Sequence, residues 1–263
     1  MTVDLSNLLE SMKSDDPEEI SAALEELRAK IGELDRTQIP EVVEVVGSLF
    51  YIDLGDHPEF VHVVEDAVET IAETGEAAIP VLMELVRETD TKANLMIART
   101  LGRIGPPAYG DLKDLFYNGI NAWQRIMALF ALAKMHEAAL MEIFPDVVAS
   151  LDDSDRELRD TAARTVGKIV NRFQPGQLPH DSVSQAFEKL MNHLQDPSGV
   201  VRSKCVRTIG KMAKNRYLEP YQVEVATEAI ASMIGNGVGD SDPMYLVRKE
   251  AAQALAELRE VGG

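Results

Sequence analysis

The stretch "DDSDRELRDTAARTVGKIV", residues 152–170, decides the fold because its pattern returns twice further along the chain. "QDPSGVVRSKCVRTIGKMA" covers residues 195–213, and "DSDPMYLVRKEAAQALAEL" covers residues 240–258. In each copy an Asp is followed six positions later by an Arg that comes directly after an aliphatic residue, and then by a pair of small or aliphatic residues. The apolar positions recur at helical spacing, so the pattern predicts three similar amphipathic helices.

More copies become visible when the chain is aligned on the small or aliphatic pair. The aligned pairs are Ala67-Val68, Ile97-Ala98, Ala128-Leu129, Ala162-Ala163, Cys205-Val206 and Ala251-Ala252. Their spacings of 30, 31, 34, 43 and 46 residues are typical of helical solenoids. A weaker seventh copy runs through residues 15–34. A small residue recurs at one further position, where it would allow close helix approach: Ala72, Gly102, Ala133, Gly167, Gly210 and Ala256.

A second amphipathic segment lies between successive copies, for example "EAAIPVLMELVRE" at residues 76–88 and "YQVEVATEAIASMI" at residues 221–234. Gly and Pro fall mostly between helices, and no alternating strand pattern with hairpin turns is present. A helix pair cannot bury its apolar face alone, so neighbouring pairs must stack. We therefore predict an all-α, right-handed α-solenoid of six to seven helix pairs, with residues 1–263 forming a single solenoid.

The recurring Asp and Arg positions resemble those of the HEAT repeat family of armadillo-type helical solenoids. The matching pairs are Asp153 with Arg159, Asp196 with Arg202, and Asp242 with Arg248. The resemblance implies that these residues form a ladder of hydrogen bonds between repeats, which is a structural role and not a catalytic one. It is specific only in the C-terminal half. The Arg position holds Val64 and Asn94 in two earlier copies, and in the third Arg125 lacks its Asp, because Gly119 stands at that position.

The charge of the chain is unevenly distributed. The net charge is -18, and residues 1–90 account for all of it with 23 acidic and 5 basic side chains, whereas residues 91–263 are balanced. This acidity argues against a general affinity for nucleic acid. No apolar run is as long as a membrane span and no signal peptide is recognisable, so we expect a cytoplasmic protein.

Residues that could support catalysis or metal binding are scattered. The only cysteine, Cys205, falls on the core face of its helix, and the glycines at residues 235–240 follow a helix and not a strand, which favours an inter-repeat loop over a phosphate loop. No histidines occur at metal-ligand spacing, and we expect them to be exposed: His57, His62, His136, His180 and His193. We predict no metal, no cofactor and no enzymatic activity.

The outward positions of successive second helices predict a basic stripe. It begins after the acidic Glu69 and Glu73. The stripe consists of Arg99, Arg103, Lys134, Arg164, Lys168, Arg207 and Lys211. If second helices line the inner wall, as the resemblance implies, these cations face a binding groove. A scattered, solvated surface is the alternative.

The helix at residues 121–135, "NAWQRIMALFALAKM", departs from the other copies because it places Trp123, Ile126 and Phe130 where its neighbour has charged residues. Leu95 occupies the position equivalent to Ile126 in the preceding copy. Apolar anchors flanked by charges suit a peptide-binding groove. A helix that is apolar all round is otherwise simply buried.

These features favour a non-enzymatic adaptor or assembly scaffold that binds an acidic, partly apolar segment of a partner protein on its inner surface. The acidic N-terminal repeats could engage a second, basic partner. One alternative is an enzyme similar to the HEAT-like tetrapyrrole lyases, which would need a deep polar pocket. Another is a nucleic-acid binder that uses the basic stripe as phosphate contacts.

Overall fold

The computed structural model describes residues 3–88, 91–235 and 241–262. Every regular element in these ranges is helical, which confirms the predicted all-α class. Fourteen α-helices occur there and form seven successive pairs, as the repeat count predicted. None of the described helices is both long enough and apolar enough to cross a membrane.

The chain forms two compact units, residues 1–136 and 137–263. The first unit contains α1 (Ser6–Ser11), α2 (Pro17–Lys30), α3 (Ile39–Gly47), α4 (Val61–Glu73), α5 (Ile79–Glu88), α6 (Thr91–Ile104), α7 (Tyr109–Asn118) and α8 (Ala122–Leu132). The second unit contains α9 (Glu137–Ala149), α10 (Arg156–Ile169), α11 (His180–Asn192), α12 (Gly199–Lys214), α13 (Pro220–Ile234) and α14 (Tyr245–Gly262). The boundary at residue 136 differs from the change in charge at residue 90, and a single continuous solenoid stays a prediction.

Short polar side chains fix where several second helices begin. The Oδ1 atom of Asp155 accepts hydrogen bonds from the backbone N–H groups of Glu157 and Leu158 at 2.9 and 3.0 Å, and so caps α10. The Oδ1 atom of Asn121 caps α8 in the same way at 2.9 Å. Such a cap satisfies N–H groups that have no partner within the helix and contributes about 1 kcal/mol.

The core of each unit lies along its even-numbered helices, which carry the aligned small or aliphatic pairs. Within the first unit α2, α4, α6 and α8 pack in succession, and within the second unit α10, α12 and α14 do the same. Every residue of the aligned pairs is buried except Ala252 on α14. Cys205 is fully buried, and burial raises the pKa of its thiol far above the usual value.

Glycine allows two of these helix contacts to be unusually close. A Cβ atom on Gly210 of α12 would lie 3.0 Å from the Cα atom of Ala254 on α14. A Cβ atom on Gly167 of α10 would lie 2.7 Å from the Oγ1 atom of Thr208 on α12. The small residue in the repeat pattern is therefore required by the packing of neighbouring repeats at these two positions.

Candidate partner-binding surface

The Asp and Arg residues of the repeat pattern meet between neighbouring helix pairs in the second unit. Arg159 donates from Nε and Nη2 to the carboxylate of Asp196 at 2.8 and 3.2 Å. Arg202 donates in the same way to Asp242 at 2.6 and 2.8 Å. Each arginine therefore binds the Asp of the following repeat, which is the arrangement that the resemblance implies.

Arginines of the ladder also donate hydrogen bonds to backbone carbonyls at the start of their own repeats. The Nη1 atom of Arg159 donates to the backbone carbonyl of Asp153 at 2.9 Å. The Nη1 atom of Arg248, in the last repeat, donates to the carbonyl of Asp242 at 2.6 Å. Because Arg159 and Arg202 donate to a carboxylate of the next repeat and to backbone carbonyls of their own, we interpret the ladder as structural.

Burial alone would raise the pKa values of Asp196 and Asp242. The hydrogen bonds from Arg159 and Arg202, those from backbone N–H groups and the positive charge of the arginines together outweigh burial, so both pKa values are lowered from the ordinary value. His193 joins this network, with Nδ1 3.2 Å from Oδ2 of Asp196 and Nε2 2.9 Å from Oδ1 of Asp152. His193 is half-buried, so the expectation that all histidines are exposed is wrong for it. The other four are exposed.

In the first unit the arginines of the predicted stripe are neutralised by glutamates of the preceding even-numbered helix. Arg99 on α6 binds both carboxylate oxygens of Glu65 on α4, with one distance of 2.6 Å. Arg103 binds Glu69 in the same way, with its Nε atom at 2.9 Å. Both pairs join residues 34 apart, which is the 30-residue spacing of these two copies plus about one helical turn. The hydrogen bond from Arg99 lowers the pKa of Glu65.

The arginines of the second unit are also paired. Arg164 donates to Oδ2 of Asp160 on the same helix at 2.8 Å, and Arg207 donates from Nε to Oε2 of Glu250 at 2.8 Å. All four arginines of the predicted basic stripe are therefore paired with carboxylates. A carboxylate or phosphate of a partner would have to compete with these ion pairs.

The predicted apolar patch is divided between the surface and the core. Leu95 on α6 is 36% exposed, and Trp123 and Phe130 on α8 are half-buried. Ile126 is only 6% exposed because α8 packs against both α6 and α7, so the prediction that it contacts a partner is wrong. The indole N–H of Trp123 is buried and has no acceptor among the described residues.

Lys134 extends this patch as a cation. Its Nζ atom lies 5.8 Å from the centre of the Phe130 ring, and no carboxylate of the described residues pairs with it. A Cβ atom on Gly102 would lie 3.0 Å from the Cβ atom of Lys134, so the lysine stem crosses α6 at this glycine. An open depression of about 190 Å³ is found here, and its lining consists of Val68, Glu69, Arg99, Gly102, Arg103 and Lys134.

Val61 is a further exposed apolar residue of this patch that the sequence analysis did not predict. It is 46% exposed and lies one helical turn before Glu65, just as Leu95 lies one turn before Arg99. Since Glu65 pairs with Arg99, we infer from the same offset between α4 and α6 that Val61 lies near Leu95. The 34-residue spacing of the ion pairs is the signal that could have revealed it. We call Val61, Leu95, Trp123, Phe130 and Lys134 the mixed face.

Within the described part of the chain, no three or more His, Cys, Asp or Glu side chains are grouped so that they could hold a metal ion. Comparison with protein families finds no matching family model, and no curated protein is significantly similar in sequence.

Solved structures are similar in fold. The HEAT-like repeat protein of the archaeon Thermococcus onnurineus NA1 is 12% identical, with a TM-score of 0.56 and all of both chains covered. Kap95p, in a structure with RanGDP, is 15% identical with a TM-score of 0.63, and the match covers 98% of this chain and 36% of the other. An engineered protein is 19% identical, with a TM-score of 0.51 and 98% of its length covered. These likenesses establish the HEAT-like helical repeat fold.

Proposed function

We propose that this chain, which has the HEAT-like helical repeat fold, is a non-enzymatic, cytoplasmic adaptor or assembly scaffold that binds an acidic, partly apolar segment of a partner protein. The mixed face carries the proposal, because it combines exposed apolar side chains with an unneutralised lysine. The similarity in fold to Kap95p, which was solved with RanGDP, supports the general idea of protein binding.

The apolar part of the mixed face supplies burial. Val61 and Leu95 are 46% and 36% exposed, and covering apolar surface contributes about 25 cal/mol for each Å² removed from water. The unsatisfied indole N–H of Trp123 adds a directional element, since a buried donor without an acceptor costs about 1–3 kcal/mol. A backbone carbonyl of the partner segment would relieve that cost after a small movement of the ring.

The charged part of the mixed face supplies the preference for an acidic segment. Arg99 and Arg103 are held in place by Glu65 and Glu69, whereas Lys134 has its ammonium against the Phe130 ring alone. A partner carboxylate therefore gains most at Lys134. Charged groups of this kind set orientation and specificity more than total affinity.

A second, basic partner at the N-terminal repeats remains part of the proposal, but fewer carboxylates are available to it than the charge count implies. Those of α4 already have cationic neighbours: Arg28 lies 3.8 Å from Asp66 and 3.5 Å from Glu73, and α6 supplies arginines to Glu65 and Glu69.

The test is affinity capture from lysate with quantitative mass spectrometry, comparing the wild type with Leu95→Glu. Met141→Glu is the matched control, because Met141 is 40% exposed and lies in the other unit. We expect at least one captured protein to be lost about tenfold with Leu95→Glu and retained with Met141→Glu. Its bound segment, mapped with overlapping peptides, should contain acidic and apolar residues.

Identical captured proteins from both variants would remove the mixed face as the binding surface. A mapped segment that is basic, or that binds equally well after Lys134→Gln, would refute the acidic preference. Circular dichroism of each variant verifies that the helices are intact.

A further inference from the structure

The surface formed by α10, α12 and α14 in the second unit contains more cations than its carboxylates neutralise. Asp160 and Glu250 are each about 5% exposed and are each bound by one arginine, Arg164 and Arg207 respectively. Each carboxylate thus pairs with one arginine, and Oδ1 of Asp160 is buried without a hydrogen-bond partner among the described residues.

Two lysines on α12 have no such partner. Lys204 and Lys211 are half-buried, and neither ammonium forms a hydrogen bond or ion pair with any residue that the structure describes. They are seven residues apart, which places them on the same side of α12 at about 10 Å along its axis. Lys211 reaches across the neighbouring helix: a Cβ atom on Gly167 would lie 3.4 Å from its Nζ atom.

Lys204 lies among two arginines and two carboxylates, whereas Lys211 has two cationic neighbours, Arg207 and Lys204, against the one carboxylate of Glu250. Burial lowers the pKa of Lys204, and Arg164 and Arg207 lower it further, while Asp160 and Glu250 act in the opposite direction. Burial and then Arg207 lower the pKa of Lys211, which Lys204 also lowers. Half-buried ammonium groups among other cations are stabilised by any anion that approaches them.

We propose that Lys204 and Lys211 form a second binding site, separate from the mixed face, that takes the carboxylate side chains of an acidic peptide segment. The site goes beyond the proposed function because it lies in the other unit and rests on charge alone.

The chemistry of the cations favours separate carboxylates over phosphate. Bidentate recognition of phosphate is typical of arginine, and the two arginines here are occupied by Asp160 and Glu250. Lysine presents a point charge, and two lysines about 10 Å apart along the helix axis suit two separate monoanionic groups. The nearby buried carboxylates would repel a dianion more strongly than a monoanion.

The experiment measures binding of a fluorescein-labelled octaglutamate peptide to the full chain by fluorescence anisotropy at low salt. The variant is Lys204→Gln with Lys211→Gln. The control is Lys13→Gln with Lys249→Gln, which changes the net charge equally at two exposed lysines. We expect about tenfold weaker binding for the first pair and less than about twofold for the control.

Equal weakening by both double variants would overturn the proposal, because it would mean that only net charge matters. Tighter binding of a single-stranded octanucleotide than of octaglutamate would overturn the choice of an acidic peptide. Lys204→Gln and Lys211→Gln each remove an unpaired, half-buried charge, so this double variant should keep the wild-type melting temperature. If the Lys204→Gln, Lys211→Gln variant unfolds, the single variant Lys211→Gln is measured instead. The proposal is rejected if that variant binds octaglutamate as tightly as the wild type does.

The octaglutamate experiment tests the Lys204 and Lys211 site independently of the proposed function. Octaglutamate has no apolar side chain, and the variant Trp123→Ala in the first unit should not change its affinity for the Lys204 and Lys211 site. Loss of octaglutamate binding with Trp123→Ala alone would assign the peptide to the mixed face.

Discussion

Arg202 shows at the residue scale why the repeat pattern retains an arginine at this position. One guanidinium donates to the carboxylate of Asp242 in the next repeat and to the backbone carbonyl of Asp196 in its own. A lysine could not make these connections in parallel, because it lacks the planar set of five donors. The ladder thus joins neighbouring repeats through side chains of fixed geometry.

We predict that Arg202→Ala lowers the free energy of unfolding by about 3 kcal/mol, because it leaves the buried carboxylate of Asp242 without its cationic partner. The control Lys13→Ala removes an exposed ion pair with Glu10 and should cost less than about 1 kcal/mol. Urea denaturation followed by circular dichroism measures both. Equal losses for the two variants would contradict a structural role of the ladder.

The ladder also predicts how stability depends on pH. The folded pKa values of Asp196 and Asp242 lie below the ordinary 3.8, so their contribution is complete above that pH and is lost as the pH falls through the folded values. The difference in unfolding free energy between the wild type and Asp242→Asn should therefore be constant from about pH 7 to 5 and shrink below about pH 4. Urea titrations across this range measure it, and a difference that does not shrink would be inconsistent with a lowered pKa.

At the scale of the element, the contact between α12 and α14 illustrates how the repeats pack. Gly210 brings the two helices so close that its missing Cβ atom would lie 3.0 Å from both Cα and Cβ of Ala254. The gain is continuous burial of the neighbouring Ile209 and Leu258, both 0% exposed. Protein interiors are packed densely enough that one added methyl group is felt.

We expect Gly210→Val to destabilise the chain by about 1–3 kcal/mol, because the added atoms force α12 and α14 apart. Gly110→Val is the control: Gly110 is exposed on α7, and a Cβ atom there meets nothing within 4 Å. That change should alter stability by less than about 0.5 kcal/mol. Thermal unfolding compares the two variants, and a fully tolerated Gly210→Val would show that the helices can separate without cost.

At the scale of the whole molecule, the packing is between neighbours along the chain. Each even-numbered helix contacts its own odd-numbered partner and the even-numbered helices next to it in the same unit. In such repeat arrays stability is close to a sum of repeat and interface contributions, and local unfolding can occur in one region while another stays folded.

Ile209→Ala should therefore reduce hydrogen-exchange protection in α10, α12 and α14 while leaving α4 and α6 close to wild type. Leu101→Ala should have the converse effect, since Leu101 is also 0% exposed but belongs to the first unit. Each truncation should cost about 2–5 kcal/mol locally. Exchange measured by mass spectrometry separates the units, and a uniform loss of protection across the chain would reveal one cooperative structure.

The helix pairs, their number and the Asp and Arg positions of the ladder could be predicted from the sequence alone. These depend on helical periodicity and on a pattern repeated at a fixed place in each copy, which are both local properties of the chain. Leu95 and Ile126 occupy equivalent positions in that pattern, and here the sequence alone could not say which one reaches the surface.

Which of the predicted site residues are accessible depends on the tertiary packing. Ile126 is buried because α8 packs against two helices, while Leu95 stays partly exposed. Arg164 pairs within its own helix, but Arg99, Arg103 and Arg207 are neutralised because packing brings together charges 34 or 43 residues apart. Which charges meet in this way depends on the axial offset between neighbouring helices. Lys134, Lys204 and Lys211 are left as cations without ion pairs for the same reason.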